Sequence, residues 1–426
     1  MSEQFKVLCL STNDRGGAGL SLLKGVERLR KKGVDVTMLV CNRYSDSDAC
    51  IGVFDAHTRM GRLRILLNHI YCKLRKVIAF GRTNEKYIMF DLQINMVTAN
   101  RILKLYGKRP DLIRIGWVTD FVSARTIHKL QELTGASINY MMVDNAPIGG
   151  GCHYPWDCQG YTRDCYPCPA LKISNKTARK TLLFKNEYIT KEMFITGTTN
   201  DINRAKQSRL FKNRKCMVNV ALSDNPYHFS RAEGRSFFKI PDDRYVIFCG
   251  AASITAERKG FKELLASLEI VKKKVDITNV IIIVAGGECG AFPSGYDVRK
   301  VGRLSFQDMF KAYACADLFL CPSLEDSGPI MINYGVMSNI PVVAFEMGVA
   351  LDLIRHKENG YIAKWRDVND YAEGVVFCFL NNEKLQKNIV SVNTSVKEEY
   401  DQRPSLWKIL EYNKLSSGAD IWRHLQ

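Results

Sequence analysis

The sequence predicts an α/β protein with two doubly wound parallel-sheet domains, and three observations lead to that prediction. The chain has 426 residues, a length typical of two domains. Short apolar runs typical of strands alternate with segments of helical periodicity. This alternation occurs in the first half of the chain and again in the second. Because strands that alternate with helices form parallel sheets, we expect one such sheet in each half.

The first half of the chain opens with a strand, a glycine-rich turn and a helix. That helix places Leu22, Leu23, Val26 and Leu29 on one face and is expected to end at Gly33. The predicted strands of this half are FKVLCLS (5–11), DVTMLVC (35–41), DLIRIGWV (111–118) and INYMMVD (138–144).

The second half shows the same alternation of strands and helices more clearly. Its predicted strands are YVIFCGA (245–251), NVIIIVAGG (279–287), DLFLCPS (317–323) and PVVAF (341–345). Between them, one helix has an apolar stripe from Phe261 to Val271, and another begins at a capping pair formed by Ser305 and Asp308. We therefore expect domains at 1–213 and 214–400, joined through 213–243.

The charge balance indicates anionic partners. The net charge is +17, from 61 Lys and Arg against 44 Asp and Glu. Nucleotides and lipid headgroups fit such a surface. Nucleic acid is not expected, because the sequence has no zinc-finger spacing with paired histidines, no RNP-like strand and no Arg-Gly repeat. There is no uninterrupted apolar run of membrane-spanning length and no basic segment before the first strand, so we predict a cytoplasmic protein.

Ligands of open α/β sheets bind beyond the carboxyl ends of the strands. After the first strand, Gly16 and Gly17 allow close approach of the backbone to an anion or a sugar, and a tight turn is the alternative. Their spacing is not that of a dinucleotide fingerprint, and the second strand ends in Cys41-Asn42 without an acid. A dinucleotide oxidoreductase is therefore disfavoured.

Two further loops of the second half have candidate ligand-binding residues. Arg258 and Lys259 stand at a helix start after a strand, where an ammonium beside free helix amides suits a diphosphate. Glu325 follows another strand, Gly328 turns into the next helix, and Asn333 lies about one helical turn inside it. The alternatives are a solvated Arg-Lys pair and an acid that complements a helix dipole.

The order of these features resembles the GT-B glycosyltransferases of family 4. The resemblance rests on the stretch ADLFLCPSLEDSGP…GVMSNIPVVAFEMGVALDLI…ENGYIA and runs from about 245 to 375. The segment VDNAPIGGGCHYPWDCQGYTRDCYPCPAL (143–171) resembles a bacterial capsule, exopolysaccharide and O-antigen branch. The resemblance implies two Rossmann-like domains facing across a cleft, with helices at 401–426 packed back on the N-terminal domain.

The resemblance also implies a retaining hexosyltransferase that moves a sugar from a nucleotide diphosphate sugar to a growing, lipid-linked glycan. Glu325 matches the acid that contacts the donor sugar, and Asn333 matches the position that contacts the ribose. Lys259 matches the lysine that binds the diphosphate. Gly16 and Gly17 match the loop near the phosphates and the acceptor. No cofactor is expected for catalysis.

Three positions depart from the family pattern. Ala251 replaces an arginine for which Arg258 is a candidate substitute, and Asn333 replaces a glutamate. Val143 replaces a histidine before Asp144, leaving the histidine's role vacant or filled by His153. The resemblance implies that Asp144 keeps the contact to acceptor or donor. Two other functions therefore stay open: a GT-B sugar-nucleotide epimerase, and a homologue that binds nucleotide sugars without turnover.

Four cysteines are clustered within 17 residues as C-x5-C-x6-C-x2-C, with His153 beside the first. Four thiolates at such spacing are candidate ligands of a structural zinc ion, and a reduced cluster that stabilises the loop is the alternative. The cysteines are Cys152, Cys158, Cys165 and Cys168.

The segment 59–82 combines apolar and basic residues at helical spacing. Such a helix is typical of proteins on anionic membrane surfaces, and a helix packed on its own domain is the alternative. The apolar residues are Leu63, Leu66, Leu67, Ile70, Leu74 and Val77. If the membrane interpretation holds, the protein is peripheral on the inner face of the cell membrane.

Overall fold

The computed structural model describes residues 4–88, 91–172, 176–220, 222, 225–251 and 253–400. Contacts divide these residues into unit 1, which comprises 4–197 and 201–219, and unit 2, which comprises 198–200 and 220–400. The helices predicted at 401–426 lie outside the described residues.

Unit 1 contains a sheet of seven parallel strands. Its strands are β1 (Lys6–Asn13), β2 (Asp35–Arg43), β3 (Cys50–Asp55), β4 (Leu112–Ile115), β5 (Ser137–Met141), β6 (Phe194–Gly197) and β7 (Cys216–Val218). Its helices are α1 (Gly16–Lys31), α2 (Arg59–Phe80), α3 (Ala99–Tyr106), α4 (Ala124–Thr134), α5 (Thr177–Tyr188) and α6 (Thr199–Gln207), whose first two residues belong to unit 2. The strand order is β3-β2-β1-β4-β5-β6-β7, so the order reverses between β1 and β4.

Unit 2 contains a sheet of six parallel strands. Its helices are α7 (Arg231–Phe237), α8 (Phe261–Val271), α9 (Phe306–Cys315), α10 (Ile330–Met337), α11 (Ala350–Leu353), α12 (Val368–Leu380) and α13 (Asn382–Tyr400). Its strands are β8 (Tyr245–Ala251), β9 (Val280–Gly286), β10 (Asp297–Gly302), β11 (Leu318–Cys321), β12 (Val342–Phe345) and β13 (Gly360–Ala363). In the order β10-β9-β8-β11-β12-β13 the reversal falls between β8 and β11.

These two sheets confirm the predicted fold class, and each predicted strand overlaps one observed strand. The strands are buried because both faces of a parallel sheet are covered: β9 is buried along its first six residues and β4 along its whole length. The predicted apolar face of α1 is buried, and Gly33 follows that helix with a positive φ of 83°.

Five strands were not predicted from the sequence, because they lack a long apolar run. Strand β7 has three residues, and β10 has none that is fully buried. The others are β3, β6 and β13. The predicted connection at 213–243 contains β7, the edge strand of unit 1, and α7, which packs on α9 in unit 2. No helix in the described ranges is long and apolar enough to cross a membrane.

A buried ion pair fastens α7 to the sheet of unit 2. The guanidinium of Arg235 donates to Asp317 Oδ2 at 3.3 Å, and both side chains are at most 3% exposed. Arg235 also donates to the carbonyls of residues 241, 242 and 244. Asp317 accepts from the backbone N–H of Val246 at 2.8 Å and from Arg231 at 2.7 Å. Asp317 therefore joins α7, β8 and the start of β11.

We predict that Asp317→Ala lowers the free energy of unfolding by about 3 kcal/mol or more, because it leaves the Arg235 charge buried without its counter-ion. Urea unfolding followed by circular dichroism measures this difference. Glu269→Ala is the control, since it breaks a half-exposed pair with Lys272 and should change stability by less than about 0.5 kcal/mol. Equal losses in the two variants would contradict the prediction.

Candidate functional site

The strand-order reversal in unit 2 brings two loops together. Where neighbouring strands connect in opposite directions, the chain leaves the two loops toward opposite faces of the sheet, and a crevice with room for a ligand lies at this edge. The loop after β8 contains a 3-10 turn at Glu257–Lys259, and the loop after β11 runs from residue 322 to 329. The predicted Arg258, Lys259, Glu325 and Gly328 all lie on these two loops.

Gly260 allows the two loops to touch. Its φ is +64°, and a Cβ at this position would lie 1.8 Å from the carbonyl oxygen of Pro322. No other residue fits without displacing backbone. Next to this contact, the N–H of Leu324 donates to the carbonyl of Arg258 at 2.8 Å. These contacts hold the cations of the first loop against the acids of the second.

Asp326 is the acid that faces the two cations. Its Oδ2 accepts from Lys259 Nζ at 2.6 Å and from the Arg258 guanidinium at 2.9 Å. Burial by itself would raise the pKa of Asp326, but Lys259 and Arg258 together hold it below its usual value of 3.8. Asp326 is therefore ionised at neutral pH and neutralises part of a doubly cationic site.

Sequence reasoning did not identify Asp326, and the role of the neighbouring Glu325 at the donor sugar stays a prediction. Glu325 is 2% exposed, and its N–H lies 3.3 Å from the carbonyl of Arg258. Asn333 is buried on α10. The only signal for Asp326 in the sequence is its place beside Glu325. The choice between two adjacent acids depends on side-chain direction, which the sequence does not give.

The turn between Asp326 and α10 is open on one side and supported on the other. A Cβ at Gly328 would meet nothing within 4 Å. On the supported side, Gly348 approaches so closely that its Cβ would lie 2.7 Å from the carbonyl of Asp326. Ser327 Oγ is buried and has no hydrogen-bond partner in the described part of the chain. A buried hydroxyl of this kind is suited to bind a polar ligand group.

Unit 1 has its own loop at the carboxyl end of β1. Gly16 has a φ of +73°, and a Cβ at Gly16 or Gly17 would meet nothing within 4 Å. Both glycines therefore expose backbone at the start of α1. Strand β1 and helix α1 pack closely at Gly19 instead, where a Cβ would lie 2.2 Å from the carbonyl oxygen of Asn13. Asp14 holds the loop by accepting from the N–H groups of residues 44 and 45.

Asp144 lies beyond the carboxyl end of β5 and is paired with His153. The two are joined at 2.6 Å, from His153 Nδ1 to Asp144 Oδ2. Asn145 N–H donates to the carbonyl of His153 at 3.0 Å and so holds the cysteine-containing loop against this position. Burial would lower the pKa of His153, but the Asp144 carboxylate raises it above its usual value. The imidazole thus lies beside the aspartate that follows Val143.

A second buried pair next to Asp144 was not predicted. Lys185 Nζ on α5 lies 2.5 Å from Asp91 Oδ2, and both side chains are less than 10% exposed. Lys185 also donates to the carbonyls of Ala146 at 2.7 Å and Gly149 at 3.1 Å. Burial would raise the pKa of Asp91, but Lys185 lowers it. This lysine therefore fixes the loop that follows Asp144.

These groups surround a cavity of about 40 Å³ at the carboxyl edge of the unit 1 sheet. Polar side chains line one part of it, and mostly apolar side chains of β4, α4 and the neighbouring loops line the rest. The polar lining includes Asp91, Gln93, Thr119, Asp144 and Lys185. The cavity is large enough for water or a small polar group and has both donors and acceptors.

The four clustered cysteines line one cavity of about 20 Å³. Burial raises the pKa of the Cys152 thiol, and the other three cysteines raise it further. Among the described residues, no group of three or more His, Cys, Asp or Glu side chains is arranged to hold a metal ion. The described geometry therefore does not support the predicted zinc site, and we assign zinc no step in the reaction. Metal analysis of the purified protein distinguishes zinc from reduced thiols.

Unit 2 matches a known protein family. Residues 243–381 match the family described as glycosyl transferases group 1. A curated relative, an uncharacterized glycosyltransferase from Haemophilus influenzae, is 23% identical over 150 residues. That stretch covers 33% of this chain and 42% of the relative, so less than half of the relative is matched. The family match includes both loops that hold Arg258, Lys259 and Asp326.

Solved structures resemble the chain over nearly its whole length. A sucrose-phosphate synthase from Thermosynechococcus elongatus has a TM-score of 0.64 at 13% identity, covering 98% of this chain and 100% of its own. HepE from Anabaena, solved with UDP and glucose, has a TM-score of 0.60 at 14% identity, covering 97% and 100%. WaaG, a glycosyltransferase involved in lipopolysaccharide biosynthesis, has a TM-score of 0.57 at 12% identity, covering 97% and 100%.

At these identities the likeness shows the fold, which is that of the GT-B glycosyltransferases. Together with the group 1 match in unit 2 it supports a glycosyltransferase.

We predict that Lys185→Met lowers the free energy of unfolding by about 3 kcal/mol at pH 7, because Asp91 is left buried without its cation. The folded pKa of Asp91 is lowered from 3.8, so this pair stabilises the protein above about pH 4 and less as pH falls. The difference in the free energy of unfolding between wild type and Lys185→Met should therefore become smaller in acid. Urea unfolding at several pH values measures it.

Lys180→Met is the matched control, because Lys180 lies on the same helix and is exposed. It should change stability by less than about 0.5 kcal/mol. A loss independent of pH, or one shared by the control, would contradict a role for the ion pair.

Proposed function

We propose that the protein is a retaining glycosyltransferase of family 4 that moves a hexose from a nucleotide diphosphate sugar to a glycan acceptor. The observation on which this proposal depends is the cationic pair Arg258–Lys259, held at the strand-order reversal of the domain that matches group 1. A diphosphate needs such a pair when no metal neutralises it, and we expect transfer to proceed without a metal.

On the donor side, we propose that Lys259 and Arg258 bind the diphosphate. Glu325 and Asn333 contact the sugar and the ribose, and the turn at Gly328 approaches the donor closely. A uridine nucleotide is the first donor to test, because structural neighbours were solved with UDP and UDP-glucose. Asp326 occupies both cations in the described structure, so the diphosphate has to compete with that carboxylate.

On the acceptor side, we propose that Asp144 contacts the acceptor or the donor sugar, and that the loop at Gly16 and Gly17 lies near the phosphates. His153 then takes the place of the histidine that Val143 replaces. In the transfer step, the bond from sugar C1 to the diphosphate breaks while a bond from C1 to the acceptor oxygen forms on the same face. The departing diphosphate takes the acceptor's proton. The enzyme's contribution is to hold and stabilise the diphosphate charge.

We further propose that the product is a bacterial surface polysaccharide, of the capsule, exopolysaccharide or O-antigen type, built on a lipid-linked acceptor. One neighbour, WaaG, is involved in lipopolysaccharide biosynthesis, which supports this class of product. A lipid-linked acceptor would place the protein in the cytoplasm on the inner face of the membrane, where a net charge of +17 favours contact with anionic lipid.

We predict opposite effects of two substitutions on UDP binding, measured by isothermal titration calorimetry. Lys259→Met should weaken binding at least tenfold, because it removes an ammonium that contacts the diphosphate. Asp326→Asn should strengthen binding about tenfold, because it removes the carboxylate that competes for both cations. Weaker UDP binding by Asp326→Asn would contradict the competition and assign Asp326 a direct contact with the nucleotide.

The matched control is Lys272→Met, which removes an ammonium from the same domain outside the two loops. UDP binding should be unchanged in this variant.

We predict that purified protein releases UDP from UDP-glucose only when a glycan acceptor is added. Incubation with nucleotide sugars, with and without bacterial lipid-linked glycans, followed by chromatography of nucleotides and sugars measures this. An epimer formed from nucleotide sugar alone would instead identify an epimerase. Binding without release for every donor and acceptor pair would identify a binding homologue.

A further inference from the structure

Helix α2 packs on unit 1 through the side opposite to its apolar stripe. Within the helix only Gly61, Cys72 and Phe80 are buried. The six apolar residues that give the segment its amphipathic pattern are each between 47% and 60% exposed, and Ile78 is 81% exposed. The six are Leu63, Leu66, Leu67, Ile70, Leu74 and Val77. A helix of a globular domain normally turns such a stripe toward the core.

The exposed apolar residues form one continuous face. At about 100° per residue the six fall within an arc of about 100°, or about 120° with Ile78, and we name this the outer face of α2. The buried Gly61 and Cys72 lie on the opposite side of the helix. Contiguous apolar surface of this extent marks an interaction site in a folded protein.

Cations border the outer face on both sides. On the wheel, Arg62 and Lys73 lie along one edge, and Arg64 and Arg75 lie along the other. All four are exposed. The helix contains no Asp or Glu anywhere between residues 59 and 80. Apolar side chains between two rows of cations are the arrangement of a helix that lies in the surface of an anionic bilayer.

A groove beside α2 extends the cationic surface. It has a volume of about 630 Å³ and is lined by Arg64 of α2, Arg101 of α3, and Arg125 and Lys129 of α4. Its remaining lining is apolar or uncharged. Lys129 is paired with Glu132 at 2.9 Å, but no acid lines the groove itself. We name it the basic groove. Its charge suits phosphate groups, and Arg64 places it at the edge of the outer face.

We propose that the outer face of α2 inserts its apolar side chains into an anionic phospholipid bilayer, with lipid phosphates along its cations and in the basic groove. A second copy of the chain fits this surface poorly, because a two-fold contact would bring the same cations together without acids. A planar array of phosphates meets both rows of cations at once. The inference concerns lipid contact alone and does not depend on the proposed transfer reaction.

The test is sedimentation of the full chain with vesicles, without any nucleotide sugar. Vesicles of phosphatidylcholine with phosphatidylglycerol should bind the protein at low salt, and high salt should release most of it, because screening weakens the phosphate contacts. Vesicles of phosphatidylcholine alone should bind it far less. Equal binding to both kinds of vesicle, or none at any salt concentration, would overturn the proposal.

Three variants separate the apolar and cationic contributions. Leu67→Glu with Leu74→Glu should weaken binding to anionic vesicles at least tenfold, since two inserted side chains become anions. Arg62→Gln with Lys73→Gln should weaken it about fivefold for each cation removed. Arg101→Gln with Arg125→Gln should have a comparable effect if phosphates enter the basic groove, and unchanged binding would remove the groove from the docking surface.

The matched control is Leu380→Glu with Val390→Glu, which changes two exposed apolar residues of unit 2 that are 68% and 55% exposed. This variant should bind vesicles like wild type. Thermal unfolding of all variants should match wild type, because every substituted side chain is exposed. Loss of vesicle binding in the control would overturn the assignment to α2. A Leu67→Glu and Leu74→Glu variant that changes only the oligomeric mass would assign the outer face to self-association.

Discussion

The parallel ladder with a single reversal of strand order is the constraint that places the candidate donor site of unit 2 and the glycine-rich loop of unit 1. In a parallel sheet all strands end at the same edge, and at the reversal the chain leaves two neighbouring loops toward opposite faces of the sheet. In unit 2 that point lies between β8 and β11, and in unit 1 between β1 and β4. The cations, the acids and the glycine-rich loop all occur in loops at these edges, where backbone N–H groups and helix starts add positive potential.

The charged pairs of unit 1 are more deeply buried than those of the candidate site in unit 2. In unit 1 the pairs Asp91–Lys185 and Asp144–His153 are almost fully buried, and Lys185 and Asp144 make further hydrogen bonds besides their ion pairs. Such pairs fix geometry, because removing one partner leaves an uncompensated charge. In unit 2 Arg258 and Lys259 keep about a fifth of their side-chain surface exposed and share a single carboxylate. That pair can exchange its carboxylate for a ligand anion.

Helix α2 shows that amphipathicity alone does not orient a helix. The apolar stripe would be buried if the helix followed the usual rule, yet the domain packs against Gly61, Cys72 and Phe80. Gly61 is required there, since a Cβ would lie 1.8 Å from the carbonyl of Asp55. The close approach at Gly61 helps turn the apolar stripe outward, and the lack of acids on the helix makes that stripe suited to anionic surfaces.

The sequence by itself determined the fold class, eight strands and the loops at which a site would form. These follow from periodicity and from residues adjacent in the chain, so short windows contain the information. Only the tertiary structure decided that Asp326 faces Lys259, 67 residues away, that Lys185 pairs with Asp91, that His153 pairs with Asp144, and that α2 turns its apolar side outward. These contacts depend on side-chain direction or on the approach of distant segments of the chain, and local sequence patterns specify neither.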